Sequence, residues 1–478
     1  MSQAHVHARG GPDLPSRISR GAPPGTGPAT TPRNPGTPDA PNTPDAPAPD
    51  TPDTSPADDR PLTEYEAESH AAESSFRTGP PTHVGVEIEW LVRDESDPAW
   101  PVTGERISTA LEPGPMPGGG RISLEPGGQI ELSSSAQPSL DRCIEAARMD
   151  VALLRDTAAE AGLVLAGAGV DAYRAPHRAL QHPRYVAMER YFDRSGHWGR
   201  VMMCSTASVQ VCLDSGDETG GPTGIRHRWA LAHRIGPVLL AMFANSPHHG
   251  GRSTGWASTR QLAWSRLDAW RTRPPEHGPD TDPREAWSRY VMDAPVMCVR
   301  RDEPADWAVP EGMTFRDWTR GALDPAPTAA DLELHISTLF PPIRAHGTHL
   351  ELRMIDAQPD DGWTVALAVT TALLDDPVAS ARAWEHTEQL AASAASAPPY
   401  AWWLRAARFG LAEPLLRTTA RSLMAAALDA LPGMGVSPQV FTDAVEFAYR
   451  YTDRGRAPGD DLIPAAAHEG ARDAATVR

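Results

Sequence analysis

The chain has 478 residues, which is enough for a large core or for two domains. Its 62 acidic and 44 basic residues give a net charge of −18, and no basic stripe is present, so a nucleic-acid-binding protein is excluded. Four cysteines without a C-x-x-C pair exclude a disulfide framework and a cysteine zinc site, and this usage predicts a cytoplasmic protein.

The N-terminal part of the chain is rich in proline and low in complexity, as in T-P-D-A-P-N-T-P-D-A-P. Such a segment buries too little apolar surface to offset the entropy that ordering costs. The sequence therefore predicts a disordered extension over residues 1–78 and a disordered tail over residues 456–478. The sequence contains no apolar run of about 18 residues, so it predicts no membrane span. It also contains no N-terminal apolar segment of the kind that would predict a secretory signal.

The first ordered element is V-G-V-E-I-E-W, residues 84–90, in which apolar and polar residues alternate. A period of two predicts a half-buried strand with Glu87 and Glu89 on one face. A second strand follows in G-G-Q-I-E-L-S, where Gln129 and Glu131 share a face. The sequence thus places carboxylates on the polar side of two strands.

Helices and two further strands alternate along the rest of the chain. Apolar residues that recur every three or four positions predict helices over 140–158, with Ser139 as N-cap, over 226–243, and in several pieces over 364–455. Between them, A-S-V-Q-V-C-L predicts a strand with Ser208 and Gln210 on its polar face. H-L-E-L-R-M-I predicts another with His349, Glu351 and Arg353 on its polar face.

The four polar strand faces are rich in Glu, Gln and Arg and short of Lys, unlike an ordinary solvated face. If the four strands share one sheet, Glu87, Glu89, Glu131 and Glu351 crowd one surface. Like charges about 4–6 Å apart cost about 1–4 kcal/mol per pair, so these groups take up protons or bind cations. Hard oxygen ligands select Mg²⁺ or Mn²⁺, and the sequence predicts a metal site of the kind that binds nucleotide phosphates.

Three other kinds of site, a P-loop, a zinc site and a cysteine nucleophile, are not predicted. No G-x-x-x-x-G-K-[ST] occurs, so ATP would not bind through a P-loop. His346 and His349 have the H-x-x-H spacing of a zinc site, but Gly347 and Thr348 favour a turn into a strand over a helix that carries both ligands. Cys212 lies on a polar strand face without an evident histidine base, so it is not predicted to be a nucleophile.

Seven motifs in chain order resemble the plant and bacterial glutamate–cysteine ligases, and most of all the actinobacterial branch that supplies γ-glutamylcysteine for ergothioneine. The resemblance covers roughly residues 83–455 and defines a catalytic domain at 79–455. The motifs are S-L-E-P-G-G-Q-I-E-L-S (123–133), T-A-S-V-Q-V (206–211), F-A-N-S-P (243–247), G-W-A-S-T-R (255–260), Y-V-M-D-A-P-V-M (290–297), M-T-F-R-D-W (313–318) and L-H-I-S-T-L-F-P-P-I-R (334–344).

The resemblance implies a fold and a reaction. The fold is α+β and glutamine-synthetase-like: a curved, mainly antiparallel sheet forms a funnel and is backed by helices. In the reaction, ATP phosphorylates the side-chain carboxylate of L-glutamate, and the amine of L-cysteine attacks the acyl phosphate. The implied partners are these small molecules, with no nucleic acid and no membrane.

The resemblance also assigns roles to single residues. Glu87, Glu89, Glu131 and Glu351 match the metal ligands of the family, and Glu131 has a catalytic role as well. Arg184 and Arg260 match arginines that hold the glutamate substrate, and Gln210 is a further substrate-binding candidate. Arg353 matches an arginine expected near the transferring phosphoryl group. Arginine forks suit carboxylates and phosphates, and metal ions neutralise the charge that spreads in phosphoryl transfer.

The chain departs from the plant pattern at several points. Cys212 stands where plant relatives have asparagine, no match to their regulatory disulfide is present, and the N-terminal extension has no counterpart. Two alternatives therefore stay open: a γ-glutamyl ligase of the same fold that uses another amine, and a non-catalytic protein that binds an amino acid or a metal. The sequence does not give the oligomeric state.

Overall fold

The computed structural model describes residues 60–110, 115–278, 280–302, 306–394 and 400–463. Residues 1–59 and 464–478, which belong to the predicted extension and tail, lie outside the described residues.

In the described part of the chain, an open, entirely antiparallel sheet of seven strands organises the fold, in the order β2-β3-β1-β5-β9-β8, with β4 paired to the far end of β1. A separate hairpin is formed by β6 and β7. The strands are β1 (Val84–Asp94), β2 (Arg121–Leu124), β3 (Ile130–Ser133), β4 (Leu163–Ala166), β5 (Ser208–Asp214), β6 (His248–His249), β7 (Arg252–Ser253), β8 (Ile343–His346) and β9 (His349–Asp356).

Helices connect the strands and fill the C-terminal part of the described chain. Among the described residues, three short 3₁₀ helices accompany them at Gly410–Ala412, Thr452–Arg454 and Pro458–Leu462. The α-helices are α1 (Glu64–Ser75), α2 (Gly104–Ala110), α3 (Leu140–Glu160), α4 (Pro183–Asp193), α5 (Trp198–Ser205), α6 (Ile225–Met242), α7 (Thr259–Ser265), α8 (Ala269–Thr272), α9 (Pro283–Asp293), α10 (Phe315–Thr319), α11 (Ala329–Ile336), α12 (Gly362–Asp375), α13 (Pro377–His386), α14 (Glu388–Ala394), α15 (Ala401–Phe409), α16 (Pro414–Ala430) and α17 (Pro438–Arg450).

The alternation in the strands produces two different faces of the sheet. On β1, Val86, Ile88 and Trp90 are buried in the main hydrophobic core, against helices that include α3 and α12. The intervening Glu87 and Glu89 point to the opposite, polar face. The predicted α+β architecture, a mainly antiparallel sheet backed by helices, is confirmed.

The predicted N-terminal boundary is wrong for part of the extension, because residues 64–75 form α1. Thr63 and Glu66 make a complete capping box, and the buried Ala67 and Ala71 pack into the main core. A dense Glu/Ala composition after the proline repeats is typical of a helix, and one apolar stripe is enough when a partner surface covers it. The packed fold therefore begins before residue 79.

The predicted C-terminal boundary is also too early. Residues 458–462 form a 3₁₀ helix in which Pro458 and Gly459 are buried. The Gly459 amide donates to the Ala244 carbonyl at 2.9 Å, which anchors this segment to the end of α6. None of the described helices combines the length and the apolar character that crossing a membrane requires.

Candidate active site

The polar residues of the central strands lie side by side on one face of the sheet. Glu89 on β1 pairs with Glu131 on β3, and Glu87 pairs with Gln210 on β5. Directly opposed residues of antiparallel strands have Cβ atoms about 4.5–5.5 Å apart. Glu351 on β9 lines the same cavity as Glu87 and Glu131. The prediction that Glu87, Glu131 and Glu351 share one sheet and one cavity is confirmed.

Two cavities of unequal size open on this face. The larger has a volume of about 660 Å³ and the smaller about 120 Å³. Glu87, Glu131, Ser337 and Arg344 line both cavities and therefore lie at the boundary between them. A large ligand and a small one could thus meet at two carboxylates.

Glu87 lies in surroundings that disfavour its charged form. Burial raises the pKa of this carboxyl well above its usual value, and the nearby charges of Glu131 and Glu351 raise it further, against the opposing effect of Arg353 and Arg344. Such a group is favoured in its protonated form unless a cation comes close. The like-charge crowding expected from the sequence is therefore present.

Glu351 has the opposite electrostatic environment. Burial acts to raise its pKa, but Arg344, His349 and Arg353 outweigh burial and hold the pKa well below its usual value. Arg344 binds the carboxylate in a fork, with Nε–Oε2 2.7 Å and Nη2–Oε1 3.0 Å, and Arg353 Nη1 lies 2.7 Å from Oε2. Three of about four lone-pair positions of this carboxylate are thus taken by arginine donors.

Glu89 and Glu131 accept hydrogen bonds from polar neighbours. Glu89 accepts hydrogen bonds from the Ser208 amide at 2.8 Å and from Gln210 Nε2 at 3.0 Å. Glu131 accepts hydrogen bonds from the hydroxyls of Ser123 at 3.1 Å and Ser133 at 3.4 Å. The Glu89 oxygens keep further acceptor capacity, and Glu89 lines only the smaller cavity.

A bulge in β9 directs the side chains of Glu351 and Arg353 into different cavities. Along β5 the pairing moves from Val209 to Val211, whereas along β9 it moves from Ile355 to Leu352. The extra residue on β9 re-aims the side chains at this point, as bulges do. As a result Glu351 lines the larger cavity and Arg353 lines the smaller one.

Arg260 on α7 is a buried cation with incomplete hydrogen bonding. Its side chain lies over the Trp264 ring, 4.6 Å from the centroid, and the residue is only 3% exposed. Nη2 donates to the Arg353 carbonyl at 2.9 Å, but Nε and Nη1 have no hydrogen-bond partner among the described residues. Buried guanidinium donors without acceptors are costly, so this end of the smaller cavity suits a carboxylate ligand.

Arg184 faces the same cavity from α4. Its Nη2 donates to the Ser337 carbonyl at 3.0 Å, and its buried Nε has no partner in the described part of the chain. The buried Gln210 Oε1 also lacks a donor there. The smaller cavity therefore brings together the three predicted substrate-binding residues.

A buried acid fixes the position of α7. Asp356 accepts hydrogen bonds from the hydroxyls of Ser246 at 2.7 Å and Ser258 at 2.9 Å. Ser258 is the N-cap of α7 and also accepts from the Gln261 amide. This network holds the helix that carries Arg260, and it involves the F-A-N-S-P and G-W-A-S-T-R motifs.

Sequence reasoning missed Arg344, which lines both cavities. The available signal was the short connection of Gly347 and Thr348, since a two-residue turn pairs β8 with β9 and sets Arg344 opposite Glu351. Cys212 also lines the larger cavity. Burial and the charges of Glu87 and Glu351 raise its thiol pKa well above its usual value, which disfavours a nucleophilic role.

The smaller cavity also has apolar lining residues. Its sulfur-containing and aromatic side chains are Tyr185, Met188, Met202, Met203, Trp264 and Phe340. Methionine and aromatic side chains form polarisable, adaptable surfaces. The cavity thus combines charged donors with a sulfur-rich apolar surface.

Comparison with known proteins identifies the family. The family model for glutamate–cysteine ligase family 2 (GCS2) matches residues 83–476. The glutamate–cysteine ligase EgtA of Mycolicibacterium smegmatis is 37% identical over 403 residues, which cover 83% of this chain and 90% of the relative. EgtA of Mycobacterium tuberculosis is 37% identical over 418 residues, covering 86% of this chain and 92% of the relative.

Among solved structures, a bifunctional glutathione synthetase from Pasteurella multocida aligns with a TM-score of 0.47 and 13% identity, over 84% of this chain and 51% of that chain. The sequence relatives and the family model carry the assignment. Because the family model spans most of the chain and its relatives match over most of their own length, the chain belongs to the glutamate–cysteine ligase family.

Proposed function

We propose that this protein joins the γ-carboxylate of L-glutamate to the amine of L-cysteine at the expense of ATP. The reaction proceeds through γ-glutamyl phosphate and gives γ-glutamylcysteine, ADP and phosphate. The observation that carries the proposal is the meeting of a large and a small cavity at Glu87 and Glu131. A nucleotide in the larger cavity would present its terminal phosphate to a carboxylate in the smaller one.

Arg184 and Arg260 hold the glutamate substrate in this proposal. Their unpartnered buried donors line a cavity of about 120 Å³, a size suited to one amino acid. Arginine forks bind carboxylates with two parallel hydrogen bonds. Gln210, whose side-chain amide faces the same space, adds a further polar contact.

Arg353 takes the role of stabilising the transferring phosphoryl group. Arg353 lines the smaller cavity, and its Nη1 donates a hydrogen bond to the Glu351 carboxylate. Preorganised cations aimed at developing charge lower a barrier without reorganising during the reaction. Arg344, held rigidly by Glu351, supports the same charge from the boundary of the two cavities.

Glu87, Glu89, Glu131 and Glu351 are the proposed ligands for Mg²⁺ or Mn²⁺. Their donor set is made of hard carboxylate oxygens, which fits these ions. Glu87 and Glu131 are central because both cavities meet at them, whereas arginines leave Glu351 little room for more than one bond. When bound, the ion would neutralise phosphate charge during transfer.

The relatives favour cysteine as the amine, because both mycobacterial EgtA proteins are glutamate–cysteine ligases. The branch resemblance supports ergothioneine synthesis as the fate of the product. A cytoplasmic location stays a prediction from the cysteine usage.

The test is a reaction of the full chain with Mg²⁺, ATP and L-glutamate, with and without L-cysteine. We expect ADP release to require both amino acids and mass spectrometry to find γ-glutamylcysteine. L-Serine, which replaces the sulfur by oxygen, is the matched amine control and should react much more slowly. ADP release that ignores cysteine, or a clear preference for another amine, would contradict the proposal.

A further inference from the structure

The hairpin of β8 and β9 places two histidines and one carboxylate together at the larger cavity. A ligand atom from each of His346, His349 and Glu351 lies within 4.8 Å of the other two. All three residues line the larger cavity. The carboxylate is buried, while the side chains of His346 and His349 are 49% and 28% exposed.

Local structure explains why the histidines meet. His346 and His349 are paired directly across the turn, and the two-residue turn is formed by Gly347, with φ +63°, and Thr348. Positive φ at the first central residue is typical of a type II′ turn and favours glycine. The imidazole centroids are 5.2 Å apart with an interplanar angle of 63°. Gly347 and Thr348 argue against a helix that carries both histidines, but the turn that they form brings both imidazoles to one side.

The separations of the ligand atoms are close to those around a tetrahedral metal ion. His349 Nε2 lies 3.7 Å and His346 Nδ1 lies 3.9 Å from Glu351 Oε1. Metal–ligand bonds of about 2.0–2.2 Å in tetrahedral geometry put neighbouring ligand atoms roughly 3.4 Å apart. The two imidazole–carboxylate separations exceed that value by only a few tenths of an ångström.

Glu351 is oriented for this role by its arginine partners. Both acceptor positions of Oε2 are used by Arg344 and Arg353, and one position of Oε1 is used by Arg344. The remaining position belongs to Oε1, the oxygen nearest both histidines. Outer hydrogen bonds of this kind fix the orientation of metal-binding carboxylates.

We propose that His346, His349 and Glu351 form a second divalent-cation site, selective for Zn²⁺ or a similar borderline metal, at the hairpin end of the larger cavity. Two imidazole nitrogens and one carboxylate oxygen match the ligand set of three-residue zinc sites that keep a fourth position open. Imidazole selects such metals over Mg²⁺. The site goes beyond the proposed ligase reaction, although it shares Glu351 with the proposed Mg²⁺ ligands.

The test is titration of the metal-free full chain with Co²⁺ in the presence of excess Mg²⁺, followed by visible absorption. Excess Mg²⁺ fills the oxygen-only ligands Glu87, Glu89 and Glu131 and competes with Co²⁺ for Glu351, so that Co²⁺ is retained there only if the two imidazoles bind it as well. Tetrahedral Co²⁺ with nitrogen ligands absorbs far more strongly than octahedral Co²⁺ with oxygen ligands. We expect the strong tetrahedral spectrum to saturate at one ion per chain and to be displaced by Zn²⁺.

Single variants His346→Ala and His349→Ala should each weaken Co²⁺ binding by at least about tenfold, since even outer partners of metal ligands contribute that much. His83, a histidine at the same cavity outside the triad, provides the control: His83→Ala should retain the spectrum. Thermal melts identify any variant that fails to fold. If His349→Ala is unfolded, the Co²⁺ spectrum of His346→Ala, at the more exposed position, decides whether the site exists.

Two outcomes would overturn the site. One is a wild-type titration that yields only the weak octahedral spectrum, as expected if the histidines merely pair with Glu351 or with a phosphate. The other is a tetrahedral spectrum that survives unchanged in both folded histidine variants. Because the readout is metal binding, its failure is distinct from a failure of ligase activity.

Discussion

At the scale of single residues, Arg260 gives a direct test of the smaller cavity. Arg260→Ala removes two buried donors that have no partner among the described residues. A hydrogen bond to a charged group contributes about 1.5–3 kcal/mol, so we expect KM for glutamate to rise roughly tenfold or more. KM for ATP should change less, because Arg260 does not line the larger cavity.

The matched control is Arg266→Ala, at the exposed C-cap of the same helix, which should leave both constants unchanged. Arg260→Lys should restore only part of the affinity, since lysine lacks the planar fork. Equal rises of both KM values in Arg260→Ala would mean that its role is misassigned.

Glu131 tests the junction of the two cavities. Glu131→Gln keeps the shape of the side chain and an acceptor for Ser123 but removes the negative charge. We expect turnover to fall at least about 100-fold, as when one preorganised charge-stabilising group is lost. Circular dichroism and the thermal midpoint should stay close to wild type, and Glu95→Gln, at an exposed position just after β1, should be silent. Unchanged kinetics would remove Glu131 from the site.

At the scale of secondary structure, α1 shows why composition alone misplaces a boundary. Ser75 at its end accepts a hydrogen bond from the buried Trp287 Nε1 at 2.8 Å. Arg316 pairs with Glu64 at 2.6 Å and with Glu68 at 2.5 Å on the same helix. A weakly amphipathic helix becomes stable when tertiary contacts cover it, and these contacts come from residues more than 200 positions away.

Deleting residues 1–78 should therefore destabilise the protein. Loss of the Trp287 hydrogen bond and of the buried alanine face should cost about 2 kcal/mol or more, which for a folded unit of roughly 400 residues corresponds to a fall of at least about 2 °C in Tm. Deletion of residues 1–59, which keeps α1 and its cap, is the control and should melt like the full chain. Equal melting of both truncations would show that α1 adds nothing to stability.

The strands could be predicted from the sequence because alternating apolar and polar residues indicate both the strand itself and which side chains share a face. The bulge in β9 could not, since no local residue marks it and it arises from pairing with β5. The short β8 carries Arg344 but too few residues for a period to be read. These two features separate the roles of Glu351, Arg353 and Arg344.

At the scale of the whole molecule, buried histidines link stability to pH. Burial lowers the pKa of His335 to about 3, and the charge of Arg271 acts in the same direction. The folded state therefore resists a proton that the unfolded chain binds below about pH 6.5. This contribution to stability is complete above that pH and is lost as the pH falls toward the folded pKa.

His335→Gln, which removes the titrating group, should lose less stability than wild type on acidification. The free-energy difference between the two proteins should shrink by up to about 1.4 kcal/mol per pH unit below pH 6.5, as measured by urea unfolding at several pH values. His386→Gln, at an exposed position on α13, is the control and should follow wild type. Parallel curves for His335→Gln and wild type would contradict the assignment.

The sequence by itself determined the identity of the family, the strands that carry Glu87, Glu131 and Glu351, and the chemistry of their side chains. These follow from short-range patterns, because alternation and motif order are properties of neighbouring residues. Only the tertiary structure decided that Glu87 and Glu131 lie between two cavities and that α1 packs into the core. It also decided that Arg344 binds Glu351 through two hydrogen bonds and that His346 and His349 lie close to Glu351. Such facts depend on strand register and on a bulge, which arise from pairing between segments far apart in the chain.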